Sequence, residues 1–313
     1  MFNNNQRKGL KAWVRFDGNN NAVAGSLIFQ KDKPKVGKWK EYQDVSLCCP
    51  VVTTCTEPLI MVATLSEQYF QFRIDTSSIN TVKGTVEWGD GASETFDFTG
   101  VGGGNLLGHT YTTADYNPQT VKVYFTDLTG FVTLRIGNSV GAIGEVMSVS
   151  NLQSVFTGSG IQFVNANGSG ISVIDVSGLP VLYLSAINSP NLSAVNVQGC
   201  TLLETAELNG DKLQTIDFSG CTALYSITFS HNFIETSTLS TVIIDSCPNI
   251  TSFDASGAGL SSSNVDYILT TLDNNGLTNG YAGLSGGSNG TPGVGGLSAK
   301  TNLESKGWTV EVN

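Results

Sequence analysis

The sequence predicts a mainly β protein in three successive modules: a small N-terminal β unit, a two-sheet sandwich, and a coiled repeat closed by an α/β cap. Three observations lead there. Short runs of alternating apolar and polar residues, bounded by Gly, Asn and Pro, recur through the first 128 residues as strands and turns do. A 21-residue unit then repeats between residues 129 and 259. Charged residues make up 13 % of the 313, about half the usual share, while Gly, Ser, Thr and Asn abound, the balance of exposed all-β and repeat proteins rather than of helical enzymes. A hydrophobic content of 40 % is enough to bury substantial cores.

The first module, 1–48, alternates Leu10, Ala12, Val14 and Phe16 against Lys11, Trp13 and Arg15, turns at Gly18-Asn19-Asn20-Asn21, and resumes at Val23 and Leu27–Phe29, which is a hairpin pattern. A Lys-rich loop from Lys31 to Lys40 leads to a predicted strand at Tyr42–Leu47. Residues 1–45 carry nine Lys/Arg against four Asp/Glu, and the remainder seven against 22, so a head of about +5 precedes a body of about −15. Lys11, Arg15, Lys33, Lys35, Lys38 and Lys40 are the candidate docking residues for an acidic surface. A solvated basic strand pair is the competing explanation. Some forty residues make a poor independent core, so the module is expected to fold against a partner or its own copies. This favours a homo-oligomer, for instance a trimer.

Residues 49–58 form a linker of prolines and small residues. Strands are predicted within 59–128 at Ile60–Leu65, Tyr69–Ile74, Thr85–Trp88, Glu94–Phe98 and Val121–Phe125, a spacing that suggests an immunoglobulin-like sandwich.

In the third module the unit Φ-x-x-Φ-x-Φ, Φ being apolar, starts at Ile161, Leu182, Leu203 and Leu224, and in an interleaved series at Ile171, Leu192, Leu213 and Ile234, each series in steps of 21. Leu239 and Ile250 come five residues late, which marks an insertion at 234–239, and Leu152 and Phe131 extend the pattern upstream. Each half-repeat is a short strand with one apolar face, and successive coils stack at about 4.8 Å as a parallel ladder. The open end of such a stack needs a cap, predicted over 260–313. It comprises a helix over 263–274 with an S-x-x-D start at Ser263 and Asp266, apolar Val265, Ile268, Leu269 and Leu272, and Gly276 beyond it, then a short helix at Ser298–Lys306 and a strand at Trp308–Val312.

Several segments resemble known families. V-E-W-G-D-G at Val86–Gly91 and H-T-Y at His109–Tyr111 before V-K-V-Y-F resemble a PKD domain, an immunoglobulin-like module of surface proteins. L-Q-T-I-D-F-S-G-C at Leu213–Cys221 and N-I-T-S-F-D-A-S-G at Asn249–Gly257 are similar to the leucine-rich repeats of Bacteroidota surface proteins. N-G-Y-A-G-L-S-G-G at Asn279–Gly287 and G-L-S-A-K-T-N-L-E-S-K-G-W-T-V at Gly296–Val310 resemble the terminal cap of repeat proteins of bacteriophages of that phylum. K-A-W-V-R-F-D-G at Lys11–Gly18 with K-P-K-V-G-K-W-K-E at Lys33–Glu41 is similar to a leader on virion proteins of the same phages. Together the resemblances imply a virion surface component, a head fibre, capsid decoration or tail fibre, joined through its N-terminal module to capsid or tail proteins, with host or mucus glycans as candidate ligands. The alternatives are a tail-fibre receptor-binding protein and a bacterial cell-surface adhesin. No secretory leader or span of about 20 apolar residues is visible, so the expected location is the virion surface, reached by lysis, with no membrane span and no nucleic acid as partner.

Chemistry has little support in the sequence, and no catalytic residue, cofactor or metal is expected. His109 falls on a PKD framework position and His231 after a repeat strand, neither in a nucleophile or metal motif. Gly100–Gly104 lacks the Lys-Ser/Thr of a phosphate loop, and Asp90 in W-G-D-G is a turn residue before it is a calcium ligand. A glycan-degrading enzyme would need paired acids in a cleft, and no such pair can be named. Cys200, Cys221 and Cys247 share one repeat position and are expected as stacked, free, buried thiols; Cys48, Cys49 and Cys55 lie in the linker with pairing open. Asp175, Asn196 and Asp217 form one polar row, and Asn165, Glu207 and Thr228 another. Asp175, Asn196, Asp217 and Glu207 are the candidate ligand-binding residues, against the plainer reading of solvated strand faces.

Overall fold

The structure, a computed structural model, describes residues 11–16, 28–30, 38–42, 57–64, 69–76, 81–112, 118–129, 131–137, 145–157, 159–208, 212–229 and 239–313. The chain is mainly β and divides into two compact units, Met1–Val51 and Val52–Asn313.

In the first unit β1 (Lys11–Phe16) is the central strand of three, with β2 (Ile28–Gln30) and β3 (Lys38–Tyr42) antiparallel on either side. The β1–β2 hairpin is the predicted one. The third strand begins four residues earlier than the sequence suggests: Lys38 and Lys40 lie in β3 rather than in a loop, opposite Phe16 and Val14. Pairing with β1 overrides the low strand propensity of lysine there. Lys33 and Lys35 fall outside the described residues.

The second unit opens with two packed sheets. One is antiparallel, in the order β11 (Glu145–Ser150), β4 (Leu59–Thr64), β9 (Gln119–Thr129), β6 (Thr81–Glu87), β7 (Ser93–Asp97). The other begins with β8 (Gly103–Thr110), β5 (Tyr69–Thr76) and β10 (Phe131–Arg135). Alternation buries Leu59, Met61 and Ala63 from β4 and Phe70, Phe72 and Ile74 from β5. The rings of Phe70 and Phe72 meet Trp88, which follows β6, at 6.5 and 6.1 Å. Strand β8 was not legible in the sequence, because its glycines read as a loop.

The boundary expected between 128 and 129 does not separate two bodies. Strand β10 pairs antiparallel with β5 and parallel with β12 (Gly160–Asn165), so the second sheet runs on without interruption into the repeats. Strand β11, assigned by sequence to the repeats, pairs with β4 instead. Leu152 is buried on the short helix α1 (Leu152–Phe156), whose Gln153 Nε2 donates to the Asp175 carbonyl at 2.8 Å and so covers the near end of a second ladder.

From β12 the first ladder continues, all parallel, through β14 (Tyr183–Ala186), β16 (Thr205–Leu208), β18 (Ser226–Thr228), β20 (Ser252–Asp254), β21 (Tyr281–Leu284) and β22 (Thr309–Val312). Register stacks Val164, Leu184, Ala206, Ile227, Phe253 and Ala282 as one inward rung, each at most 1 % exposed. The second ladder consists of two separate pairs, β13 (Val173–Asp175) with β15 (Ala194–Asn196), and β17 (Thr215–Asp217) with β19 (Thr241–Ile243). Inward residues of both ladders share one core, where Phe229 packs between Phe218 and Phe253 with ring centroids 6.3 Å apart on each side. Truncating any of these rings to Ala would cost about 3–5 kcal/mol.

Two repeat positions differ from the sequence alignment. Val181, not Leu182, is the inward residue of its coil: Val164 opposite Leu184 fixes the register, and Leu182 is left half-exposed. Ile234 lies outside the described residues, and Leu239 takes its place, since Thr215 and Ile216 pair with Thr241 and Val242. The cysteine column is as expected: Cys200, Cys221 and Cys247 are free and buried. Their thiols point at the Val176, Val197 and Phe218 carbonyls one coil back. Burial pushes them up to about 11, about 12 and about 11 respectively.

The cap closes each ladder differently. The first gains the real strands β21 and β22. The second is met by α2 (Ser262–Asn275), whose Asn264 imitates a strand: Oδ1 accepts from Val242 N at 2.8 Å and Nδ2 donates to Val242 O at 2.9 Å. The Tyr267 hydroxyl accepts from Ile244 N. Val265, Ile268, Leu269 and Leu272 are buried as predicted, and Gly276 ends the helix at φ 73°. The N-cap is Ser261, accepting from Asn264 N, and not Ser263. Asp266 instead accepts from Gly293 N at 2.8 Å, tying α2 to the start of α3 (Val294–Ser305). Among the described residues no helix is long and apolar enough to cross a membrane.

Candidate functional site

The predicted polar residues do not form one surface. Asp175 and Asn196 are register partners in β13 and β15, and Asp217 ends β17 in the other pair of the second ladder. Each of these side chains turns the chain at its strand end: Asp175 accepts from Ser177 N at 3.0 Å, Asn196 from Gln198 N at 3.1 Å and Asp217 from Ser219 N at 2.8 Å. A glycine in the left-handed region follows, as at Gly220 (φ 82°). An aspartate or asparagine at this position is therefore explained by the turn itself. The side chains of the basic candidates Lys11, Arg15, Lys38 and Lys40 are not among those described.

Glu207 lies elsewhere, on the outward face of the first ladder. Register places Thr133, Phe163, Tyr183, Thr205, Ser226 and Ser252 in one outward row and Arg135, Asn165, Ser185, Glu207, Thr228 and Asp254 in the next. Most of the first row is small and polar. The exceptions are Phe163, 39 % exposed, and Tyr183, whose ring lies 5.9 Å from that of Phe163. The Tyr183 hydroxyl donates to Glu207 Oε2, and Ser185 Oγ stands 3.4 Å from the same oxygen while donating to Asn167 Oδ1 at 2.7 Å. Burial, and then the bond to Glu207, push the Tyr183 hydroxyl up to about 12, so it remains a donor at any physiological pH. Ser185 is fully buried, so the face itself offers two adjacent rings and a carboxylate held in place, a platform suited to a ligand with an apolar face and hydroxyl groups.

At the sandwich end of this face Asp75 is gripped from both sides. Arg73 Nε lies 2.7 Å from Oδ1 and Arg135 Nε 2.6 Å from Oδ2, with the Arg73, Arg135 and Asp75 side chains 32 %, 33 % and 18 % exposed. Neither arginine was singled out in the sequence, and the two are joined only by the pairing of β5 with β10. Phe163 carried a signal that could have been read: at its place in the unit the following coils have Tyr183, Thr205 and Ser226, so a large apolar residue on an outward position was already anomalous.

Two other places are less suited to a ligand. A half-open cleft of about 590 Å³ beside the W-G-D-G turn is lined by Glu87, Gly91, Ser93, Thr120 and Lys122 and carries no aromatic side chain. His109 is a packing residue, stacked on Trp88 at 5.3 Å and edge-on to Tyr111, with Nε2 2.8 Å from Asp90 Oδ2. Asp90 Oδ1 accepts from Ala92 N, so both oxygens of that carboxylate serve the turn and the histidine. His231 lies outside the described residues. Compared with family models, curated proteins and solved structures, the chain matches none.

Proposed function

We propose that the chain is a non-enzymatic protein displayed on the surface of a phage particle, and that the outward face of its first ladder binds glycans. The observation that carries the binding role is the Phe163–Tyr183–Glu207 group, an exposed ring packed on a half-buried one beside an oriented carboxylate on a rigid stack of strands. Rigid elements hold such a group at little entropic cost, and many copies on one particle would multiply weak contacts. In this reading the two packed sheets are a PKD-type immunoglobulin-like module and the coils are leucine-rich repeats. The two-sheet packing and the parallel ladder of 21-residue coils support it. The basic first unit would join the protein, as a homo-oligomer, to capsid or tail.

Location is tested by immunogold labelling of intact particles with an antibody against residues 150–313. Gold on the capsid supports a decoration or head-fibre role and gold on the tail a receptor-binding fibre. Its absence from every particle would overturn the virion reading in favour of a bacterial surface adhesin. Binding is tested on a glycan array: Phe163→Ala is expected to abolish the signal given by the unaltered protein, and equal signal from both would remove the face from consideration.

A further inference from the structure

The Arg73–Asp75–Arg135 cluster holds more positive charge than its own ion pairs consume. Two guanidinium groups share one carboxylate, leaving a net charge of about +1 in a body that is otherwise strongly acidic. Each arginine uses only Nε on Asp75, and among the described residues no acceptor meets the Nη groups of either. A guanidinium carries five N–H donors in a fixed fork, so most of the donors here meet no acceptor among the described residues, on side chains about one third exposed.

The cluster also adjoins the aromatic pair. Arg135 is opposite Asn165, and Thr133 opposite Phe163, so Arg135 and Phe163 are diagonal neighbours on adjacent strands, a separation of about 7–8 Å that long side chains bridge. Arg135 is close enough to favour the ionised form of Tyr183. The glycine at position 104 completes the arrangement. Gly104 sits opposite Asp75 on β8, and a Cβ there would overlap the Arg73 guanidinium, which lies over this residue. The Gly100–Gly104 run, which has no phosphate-loop chemistry, thus has a use at its last residue: it gives Arg73 room to lie across an edge strand and reach Asp75.

We infer that this cluster is an anion subsite, and that the glycan taken by the face is an acidic one. Its sugar ring stacks on Phe163 and Tyr183, a hydroxyl reaches the half-buried Glu207, and its carboxylate or sulfate accepts from the Nη groups of Arg135 and Arg73. The inference rests on the glycan-binding reading of the same face. Asp75 fixes both guanidinium planes before the ligand arrives, so little side-chain entropy is lost on binding.

The experiment is calorimetric titration of the full chain with three probes of similar length: a uronic-acid oligosaccharide, a sulfated oligosaccharide, and a neutral gluco-oligosaccharide. At least one acidic probe is expected to bind about tenfold or more tighter than the neutral one, as charge-assisted hydrogen bonds imply. The probe that gains identifies carboxylate or sulfate. The preference should shrink between about 0.1 and about 1 M salt, as the Debye length drops from about 10 to about 3 Å. Arg135→Gln removes one fork. Gly104→Ala displaces Arg73 while keeping its charge, which separates a built site from general attraction. Both variants are expected to lose the preference, keep neutral binding, and melt close to the unaltered protein. Acidic binding that survives both variants and Phe163→Ala belongs to the basic first unit and overturns the subsite. Equal affinity for acidic and neutral probes, abolished by Phe163→Ala, overturns the subsite and leaves the glycan face standing. Failure to bind any probe overturns both.

Discussion

Asn289 offers the sharpest test of how the cap is held. Its side chain is 95 % buried and satisfied on every side: Oδ1 accepts from Gly259 N at 2.8 Å and Leu260 N at 2.9 Å, and Nδ2 donates to Ala255 O at 2.9 Å and Leu284 O at 3.0 Å. One amide thus ties the loop before α2 to the end of β21. Asn289→Ala removes four hydrogen bonds, each with a net worth of about 0.5–1.5 kcal/mol, and leaves backbone groups without partners, those of Ala255, Leu260 and Leu284 in fully buried residues. The expected loss is about 4 kcal/mol, or about 8–16 °C in Tm for a unit of this size. Asn289→Asp is nearly isosteric, yet it exchanges two donors for an oxygen facing two carbonyls. It is expected to cost more than Ala at neutral pH. The carbonyls raise the folded-state pKa of the introduced carboxyl, so the variant regains stability as pH falls towards about 4 and loses it as pH rises through the raised value. Thermal and urea melts followed by circular dichroism measure the stability, and hydrogen exchange at the Gly259 and Leu260 amides reports the local opening. A loss under about 1 kcal/mol for Asn289→Ala, or an Asp variant more stable than the Ala variant at neutral pH, would refute this account.

Three further outcomes are expected. Cys200, Cys221 and Cys247 are buried thiols pushed up to about 11, about 12 and about 11, so peptide-resolved alkylation at mildly alkaline pH should spare all three in the folded protein and label them in denaturant; rapid labelling of any one under native conditions would contradict the column. The hydrogen bond from His109 holds the Asp90 carboxyl below its ordinary 3.8. The stability it contributes is present above that value and lost as pH falls through the depressed one, and Asp90→Asn should flatten this part of an acid titration of Tm. Gly84→Ala would drive a Cβ into the Tyr124 carbonyl and the Phe96 ring, where the backbone of β9 cannot withdraw, and a loss of about 1–3 kcal/mol is expected from urea melts.

Much of the core was legible because it depends on local periodicity. A buried position recurring every 21 residues, and alternation inside each short strand, located Leu203, Leu213, Leu224 and the cysteine column without reference to any partner strand. The apolar face of α2 and its terminating glycine were legible for the same reason. The candidate site was less so. Glu207 was found as an outward residue of its strand, but Asp175, Asn196 and Asp217 share its alternation and are explained by turns, a distinction that depends on which backbone N–H each side chain meets.

The sequence by itself determined that the chain is mainly β, that its C-terminal half is a stack of short coils with a helical cap, and that positive charge is gathered in its first 45 residues. Only the tertiary structure decided pairing and register. It paired β10 antiparallel with β5 on one side and parallel with β12 on the other, returned β11 to β4, and chose Val181 over Leu182. It also brought Arg73, Asp75 and Arg135 beside Phe163. The physical reason is that a one-residue slip exchanges the two faces of a strand, and residues 62 apart in sequence become neighbours only when their strands pair. That information is carried by the whole core rather than by the residues themselves.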